Sequence, residues 1–552
     1  MKIIDNRYKI ERKIADNFHS EIYLVSDLWG YERKKVMKLY NYDEHKRIID
    51  YFIDNFIHLS NIKYKNLLSS ERFNIVKYID TKKINMLLYY SVSEYIKAPK
   101  LNDIVENLSF NDRLRILLDI IVTIDYLHFR GYVYQILSPS EIYVLDDKSI
   151  KLTDLITIAE KREKFYIDDF NKYFLSPEIL IDKDFNDKRS DYYSIGVIMK
   201  YLLLKDFLVD DVNKFSYIYE NISEEQRELL NNIILKLTRR DFISRDANLI
   251  ELADKINEAF DLGYTYDLVS SRNTLFFNNK IVGREKEIEE ILKIDSNITT
   301  GNYKYKGIII NGEFGVGKTR LLNEMCHQLK MIGRDVYYIQ LELDKSNDLS
   351  DLANILKQSL KDTPAELMEK YRGELSKILP ELRLYANEEM ETDLSLNWEL
   401  FRLFNRISNY FSELSRGNTI YLVIDDLQYA NLNLITMIDY LLKNIKSNNM
   451  FFIFSYDKNA TVDEFSINNK IEEWVVNNYL NSLELSRLTS EEVGLMVQNI
   501  LGISYVPNKL AGVLYKESHG NPRYIEYLIK HLYATGELYM NPVGSWYLKV
   551  DS

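Results

Sequence analysis

Hydrophobic and polar positions change rhythm along this chain, and the changes divide it. Over residues 1–40 three segments, YKIERKI, EIYLVSD and ERKKVMKLY, carry the short-period pattern of strands. From about residue 110 the period lengthens. FNDRLRILLDIIVTIDYLHF places Leu114, Leu117, Leu118, Ile121 and Ile124 on one helical face. Residues 263–280, GYTYDLVSSRNTLFFNNK, keep neither period and read as a linker. Beyond it, GIIIN (Gly307 to Asn311), TIYLVIDD (Thr419 to Asp426) and MFFIFSYD (Met450 to Asp457) are β-branched and aromatic runs, the signature of parallel strands buried on both faces. The chain between the first two runs is largely helical by pattern, as in ANILKQSLKD and AELMEKYRGELSKILPELRLYANEEM. A helical region follows the third, and its best-marked helix opens at TSEEVGLMVQNIL, where Thr489 and Glu492 have capping-box spacing.

The first strand-like run leads straight into GEFGVGKT, Gly312 to Thr319, and then into the helix-patterned RLLNEMCHQLK. Strand, glycine-rich turn and helix N-terminus are the three parts a phosphate cradle needs. Gly312, Gly315 and Gly317 let backbone N–H groups converge, and Lys318 reaches the β/γ-phosphates. The Thr319 hydroxyl ligates Mg²⁺, and Arg320 opens the helix behind it. The second run ends in Asp425 and Asp426. A buried parallel strand shows charge at its C-terminal end, where open α/β sheets bind ligands. Asp425 is expected to hold Mg²⁺ through water, and Asp426 to position the attacking water. ATP and Mg²⁺ are therefore the expected cofactors.

Composition narrows the class. The length of 552 residues suggests about three or four domains. Apolar content of 46% with 28% charged residues is that of a globular chain. A net charge of −12 gives no global field for nucleic acid or an anionic membrane. The single cysteine, Cys326, excludes internal disulfides and fits a reducing compartment. No run approaches a membrane span, and MKIIDNRYKIERK lacks the apolar core of a signal peptide, so the expected location is the cytoplasm. The seven histidines form no metal-ligand spacing.

Residues 1 to about 260 resemble a eukaryotic-type serine/threonine protein kinase. VMK ends at Lys38, matching the strand lysine that pairs with ATP phosphates. SEYIKAPKL (Ser93 to Leu101) resembles the hinge, and YLHFRG (Tyr126 to Gly131) the end of the helix before the catalytic loop. KLTD ends at Asp154, matching the metal-binding aspartate. SPE (Ser176 to Glu178), SDYYSIGV with Asp191, and Arg245 match the motifs that knit the C-lobe, and the resemblance implies a buried Glu178–Arg245 ion pair. The departures fall on the chemistry. The catalytic loop H-R-D-L-x-x-x-N is here YQILSPSEI, with Ile136 at the aspartate and Glu141 at the asparagine. Ile136 precedes Asp154 by 18 residues, the family spacing. Isoleucine cannot accept a hydroxyl proton. The glycine loop is replaced by IADNFHSEIY, which has no glycine and whose side chains, Phe18 and His19 among them, keep the backbone from closing over phosphates, and the D-F-G glycine is Ile156. The glutamate that should pair with Lys38 falls near Asn55, with Asp54 adjacent. The pattern reads as a pseudokinase.

The order VGREKEIEEI, GEFGVGKT, YLVIDDLQYA, HGNPRYIEYL resembles the AAA-like module of STAND signal-transduction ATPases. The resemblance implies that Val282, Gly283, Arg284 and Glu285 contact the base and ribose side, and that Pro522 caps the adenine from a lid. It also leaves Ser455 as a polar sensor, with Asp457 where arginine is often found and Lys458 beside it. That substitution suggests slow hydrolysis. The tail LYATGELYMNPVGSWYLKVDS resembles the opening of a winged helix, which suggests a longer protein with an effector beyond Ser552.

The expected fold is multidomain α/β and α+β. A bilobal kinase-like domain spans 1–262 (lobes 1–92 and 97–262) and a linker 263–280. A P-loop NTPase α/β core follows at 281–475, a helical lid at 476–530, and a partial winged helix at 531–552. The expected function is a nucleotide-operated signalling switch with a sensing kinase-like lobe. Its expected partners are ATP or ADP, a protein or signal on that lobe, and further copies in a nucleotide-dependent oligomer. Membrane insertion and nucleic-acid binding are not expected. Three other readings remain: an active protein kinase regulated by the ATPase, a transcriptional regulator using the partial wing, and a nucleotide-binding scaffold without turnover.

Overall fold

A computed structural model describes residues 2–16, 20–30, 32–80, 82–83, 87–164, 168–267, 271–277, 280–342, 349–379, 382, 397–445, 449–460, 467–541 and 544–549. Phe18 and His19 lie outside the described residues, as does most of the helix-patterned stretch from 380 to 396. The chain forms two compact units. The first comprises Met1–Lys280, Val497–Pro507 and Leu532–Ser552; the second comprises Ile281–Met496 and Asn508–His531.

The first unit begins with an antiparallel sheet. Its strand order is Ser70–Ile75, Leu88–Glu94, Arg33–Asn41, Glu21–Asp27, Tyr8–Asp16, Ile3–Ile4, Tyr78–Ile79 and Lys82–Lys83. Alternation sends Met37 into a core with Val25, Tyr90 and Val92. Lys38 and Tyr40 follow on the same strand, and both are buried. The helix Tyr42–Asn61 is capped by the Asn41 side chain, which accepts from Asp43 N. It packs Phe52 edge-on against Tyr40 and Phe73.

The helical half is built round Phe110–Phe129, capped reciprocally by Ser109 and Asp112. Its pattern suggested one apolar face. Ile116, Ile120 and Val122 are buried as well, because the helix lies inside this half, against Arg189–Leu203 on one side and Leu249–Ala259 on another. Residues 263–267 and 271–277 are tied to the same unit. Tyr264 donates to Asp119 Oδ1 at 2.7 Å, and Arg272 pairs with Asp125. The strands Leu538–Met540 and Trp546–Leu548 form an antiparallel hairpin.

The second unit carries a five-stranded parallel sheet. Its order is Asp335–Gln340, Ile420–Asp425, Met450–Tyr456, Gly307–Asn311, Leu480–Glu484. Both faces are covered. Leu321, Met325 and Leu329 of the helix Lys318–Met331 pack one side, and Ile407, Phe411, Ile438 and Leu441 the other. Buried runs such as Ile420–Asp425 therefore show no alternation. Register places Asp425 opposite Gln340, and Ile310 opposite Ser455, all near the carboxyl ends of their strands. The chain leaves Gly307–Asn311 beside strands that come later in sequence, and such crevices take ligands in open α/β sheets. The helix Ser490–Leu501 starts from the Thr489–Glu492 capping box, with Thr489 N on Glu492 Oε2 at 2.7 Å. Among the described residues no helix is long and apolar enough to cross a membrane.

Candidate nucleotide-binding sites

The loop after Gly307–Asn311 turns through two left-handed glycines, Gly315 (φ +81°) and Gly317 (φ +103°), the second immediately before the helix Lys318–Met331. A side chain at Gly317 would meet open space, so glycine is required there by backbone conformation. At Gly315 a Cβ would also lie 2.7 Å from Asn521 Oδ1 and 3.0 Å from Arg523 Cβ. The backbone N–H groups of the helix's first turn have no partner within the helix, which is what suits this end to an anion. Lys318 is buried and folds back on its own loop. Its Nζ donates to Gly312 O at 2.7 Å and Glu313 O at 3.1 Å, and stands 3.8 Å from Asp457 Oδ2.

Asp425, fully buried at the strand end, accepts from Ser455 Oγ, from Tyr338 OH at 3.0 Å and from Thr319. Burial pushes its carboxyl above the ordinary aspartate value, and the neighbouring Asp426 charge adds to that rise. The bonds from Ser455, Thr319 and Tyr338 oppose it. Asp426 takes a left-handed backbone (φ 59°), and its N–H donates to Ser455 Oγ at 2.8 Å. Its carboxylate accepts from Gln428 Nε2 at 2.9 Å and Gln340 Nε2 at 3.1 Å. Two amides thus hold the carboxylate that sequence reading had assigned to water. Ser455 bridges the two aspartates. Asp457, where an arginine was looked for, faces Lys318.

Residues from the C-terminal part of this unit meet the loop. Asn521 Nδ2 donates to Phe314 O at 3.0 Å, Arg523 N to Gly315 O at 3.2 Å, and the Arg523 guanidinium lies 4.5 Å from the Phe314 ring centre. Arg487 forms a two-pronged pair with Glu313, one prong at 2.8 Å. Pro522 is the first residue of the helix Pro522–Ala534. On the other flank, Gly283 (φ +68°) is packed so closely that a Cβ would lie 2.6 Å from Glu492 Cδ. Arg284 is buried and donates to Gly283 O at 2.9 Å, Ser486 O at 2.7 Å and Val316 O at 3.2 Å. Val282 and Arg320 are half-buried. Arg320 and Arg523 lie near Glu526, whose carboxyl is raised mainly by burial. The Thr319 hydroxyl and the Asp425 carboxylate stand together where the left-handed glycine turn enters the helix, with Lys318 beside them, a set that fits a magnesium-bound nucleoside triphosphate.

In the first unit the kinase-motif residues are buried but engaged otherwise. Lys38 Nζ pairs with Glu160 and donates to Thr157 Oγ1 at 2.8 Å. Asn55 instead donates to Tyr51 O within its own helix. The expected Asp54–Asn55 partner is therefore replaced by a glutamate from the helix after Asp154. Asp154 Oδ1 accepts from Ser70 Oγ and from Thr157 N, each at 3.0 Å, and Oδ2 accepts from Thr157 Oγ1 at 2.6 Å. Ile136 is buried. Glu141 is buried beside Lys161 and Lys100; burial alone would raise its carboxyl, yet the two ammonium groups hold it below the ordinary value. Asp191 accepts from Tyr134 N (2.8 Å), Gln135 N (2.6 Å) and His128 Nε2 (2.8 Å), staking down the loop that carries Ile136. Glu178 and Arg245 pair at 2.5 Å and 3.1 Å. Lys38 and Asp154 are thus both bonded within the chain, Lys38 to a glutamate and Asp154 to the first turn of the helix that follows it.

Family comparison agrees with the two architectures. Residues 12–259 match the protein kinase domain model, and residues 280–453 match the AAA ATPase domain model. The chain is similar to CBL-interacting protein kinase 10 of Oryza sativa subsp. japonica, 23% identical over 224 residues, covering 39% of this chain and 47% of the relative. It is also similar to the probable serine/threonine-protein kinase PknB of Lactococcus lactis, 21% identical over 275 residues, covering 46% of this chain and 42% of the relative. The chain thus spans less than half the length of either relative. A curled antiparallel sheet with a helical half, followed by a parallel sheet with its glycine loop, agrees with both domain models: the chain carries a protein kinase domain followed by an AAA ATPase domain.

Proposed function

We propose that this chain is an ATP-binding signal-transduction protein. Its AAA ATPase domain is a slow, STAND-like switch, and its kinase-like domain senses or docks a partner without transferring phosphate. The observation that carries the reading is the grouping of Lys318, Thr319, Asp425 and Asp426 at one sheet edge, with Lys318 turned onto loop carbonyls and Asp457. When bound, Mg²⁺·ATP supplies the anhydride bond and the metal charge. Lys318 would meet the phosphates, Thr319 and Asp425 would hold the metal, and Asp426 would orient the water. Gln340 and Gln428 hold the Asp426 carboxylate as a fixed acceptor. Asn521, Arg523 and Arg487 read whether the loop is filled, because each is bonded to it.

The kinase-like domain supports a sensing role through its missing base. Ile136 carries no acceptor, and the residues that knit the helical half, Asp191 and the Glu178–Arg245 pair, are in place. The reading is tested by following γ-labelled phosphate from ATP with the full chain and its Lys318→Ala, Asp426→Asn and Lys38→Ala variants. Release of free phosphate is expected from the parent chain and from Lys38→Ala. It should disappear in Lys318→Ala with binding and in Asp426→Asn without loss of binding. Label appearing on protein and vanishing with Lys38→Ala would replace this reading with an active kinase.

A further inference from the structure

The helix Leu155–Lys164 starts directly after Asp154, and that position decides what its side chains can reach. Asp154 accepts from Thr157 N, the bond of a helix-capping aspartate, so the carboxylate that the kinase motif gives to a metal is spent on the helix. Leu155, Ile156, Ile158 and Ala159 are buried and fix the helix in place. Thr157, Glu160 and Lys161 then share one face by helical spacing. Each closes a different part of the cleft. The Thr157 hydroxyl accepts from Lys38 and donates to Asp154, Glu160 takes Lys38, and Lys161 takes Glu141. The second Glu160 oxygen is held by Tyr40 OH, which also lies 2.9 Å from Ser91 Oγ. Lys38 and Glu160 side chains are 6% and 5% exposed, so neither is free to meet a solvent-borne ligand.

We propose that the helix Leu155–Lys164 is a built-in occupant of the kinase-like cleft, with the Glu160 carboxylate standing where a nucleotide phosphate would meet Lys38. The domain is closed to ATP while this helix is formed, and opening requires Thr157, Glu160 and Lys161 to leave together. A buried pair holds strongly against loss of one partner, so Glu160 keeps Lys38 from a phosphate unless the helix is displaced as a whole. The inference goes beyond the ATPase reading, concerns the other domain, and stands or falls separately from it.

The test uses the full chain and an acyl-phosphate derivative of ATP. A lysine amine near the bound phosphates attacks the acyl carbon of this probe, an amide forms, ATP leaves, and the amine proton passes to solvent. Peptides bearing Lys38 and Lys318 are quantified with and without excess ATP. The expected result is ATP-suppressible labelling at Lys318 and none at Lys38. Glu160→Gln should bring ATP-suppressible labelling of Lys38 to about tenfold the background or more. ATP-suppressible labelling of Lys38 in the parent chain would overturn the proposal. So would an unlabelled Lys38 in a Glu160→Gln chain that melts like the parent. If Glu160→Gln melts early, Thr157→Val, which removes one hydroxyl at nearly constant volume, carries the same comparison with the same expected rise. An unlabelled Lys318 would count against the ATPase reading alone.

Discussion

Asp457 illustrates how one side chain can set an affinity without touching a ligand. It holds Lys318 at 3.8 Å in a site where both side chains are buried, so a phosphate must displace it to gain the lysine. Asp457→Asn removes the competing charge and keeps the shape. ATP affinity is expected to rise by about three- to tenfold, roughly 0.7–1.4 kcal/mol. Titration calorimetry would show it, and an affinity unchanged or weakened would mean that Asp457 positions Lys318 instead of restraining it. Asp425 sets a pH limb. Mg²⁺ needs the ionised carboxylate, and burial raises the pKa, so protonation competes at higher pH than for a free aspartate near about 3.9. Magnesium-dependent ATP binding is therefore full above the Asp425 pKa and falls as the pH drops through it. Affinity measured against pH with and without Mg²⁺ should separate the two curves on acidification. Curves that stay parallel down to the free-aspartate range would remove Asp425 from metal binding.

At the scale of elements, the glycine loop is where local geometry and packing make the same demand. Gly315→Ala puts a Cβ into a left-handed backbone and against Asn521 and Arg523, while the sheet beneath is untouched. The left-handed penalty alone is about 1–2 kcal/mol. ATP affinity should fall by about tenfold or more with little change in the core, seen as a melting temperature close to the parent's. Full affinity would mean that the loop is built differently when filled. The Arg487–Glu313 pair, half-exposed, contributes far less to holding the loop. The same contrast separates what sequence could and could not tell. The strand–loop–helix of Gly307–Met331 and the strand ending in Asp425 were legible because their signals are local: apolar runs, glycines at fixed offsets, charge at one end. The capping box at Thr489 was legible for the same reason. Pairings between distant residues were not. Glu160 lies 122 residues from Lys38, and Arg487 lies 174 from Glu313, so no period or spacing connects them. Gln340 was hidden differently, since its role follows from strand order, which places it opposite Asp425. The helix Phe110–Phe129 misled because a helix buried all round still shows one face richer than the rest.

On the scale of the whole molecule, two lysines held in different ways, Lys318 by loop carbonyls and Lys38 by a buried glutamate, give a countable expectation. The AAA ATPase domain has a turn whose helix end and glycines suit phosphate. The kinase-like domain has a lysine, a threonine and two carboxylates already bonded to one another. Magnesium and ATP should therefore bind at one nucleotide per chain. Binding to the native state alone adds about 2.7 kcal/mol at a hundredfold excess over Kd. Hydrogen exchange should place the gain in backbone amides of the second unit, strongest around Gly312–Thr319, with no change across Arg33–Asn41 or Leu155–Lys164. Two nucleotides per chain, the second lost in Lys38→Ala, would mean that the helix after Asp154 yields to ATP on its own. A single nucleotide that survives Lys318→Ala and is lost in Lys38→Ala would reverse the assignment of the two domains. One per chain, lost with Lys318, leaves the kinase-like cleft as a surface that only a partner able to move Thr157, Glu160 and Lys161 can open. Under that outcome, a signal reaching the ATPase through this domain must act on the Leu155–Lys164 helix or on the outer faces of the lobe, because Lys38 is already held by Glu160.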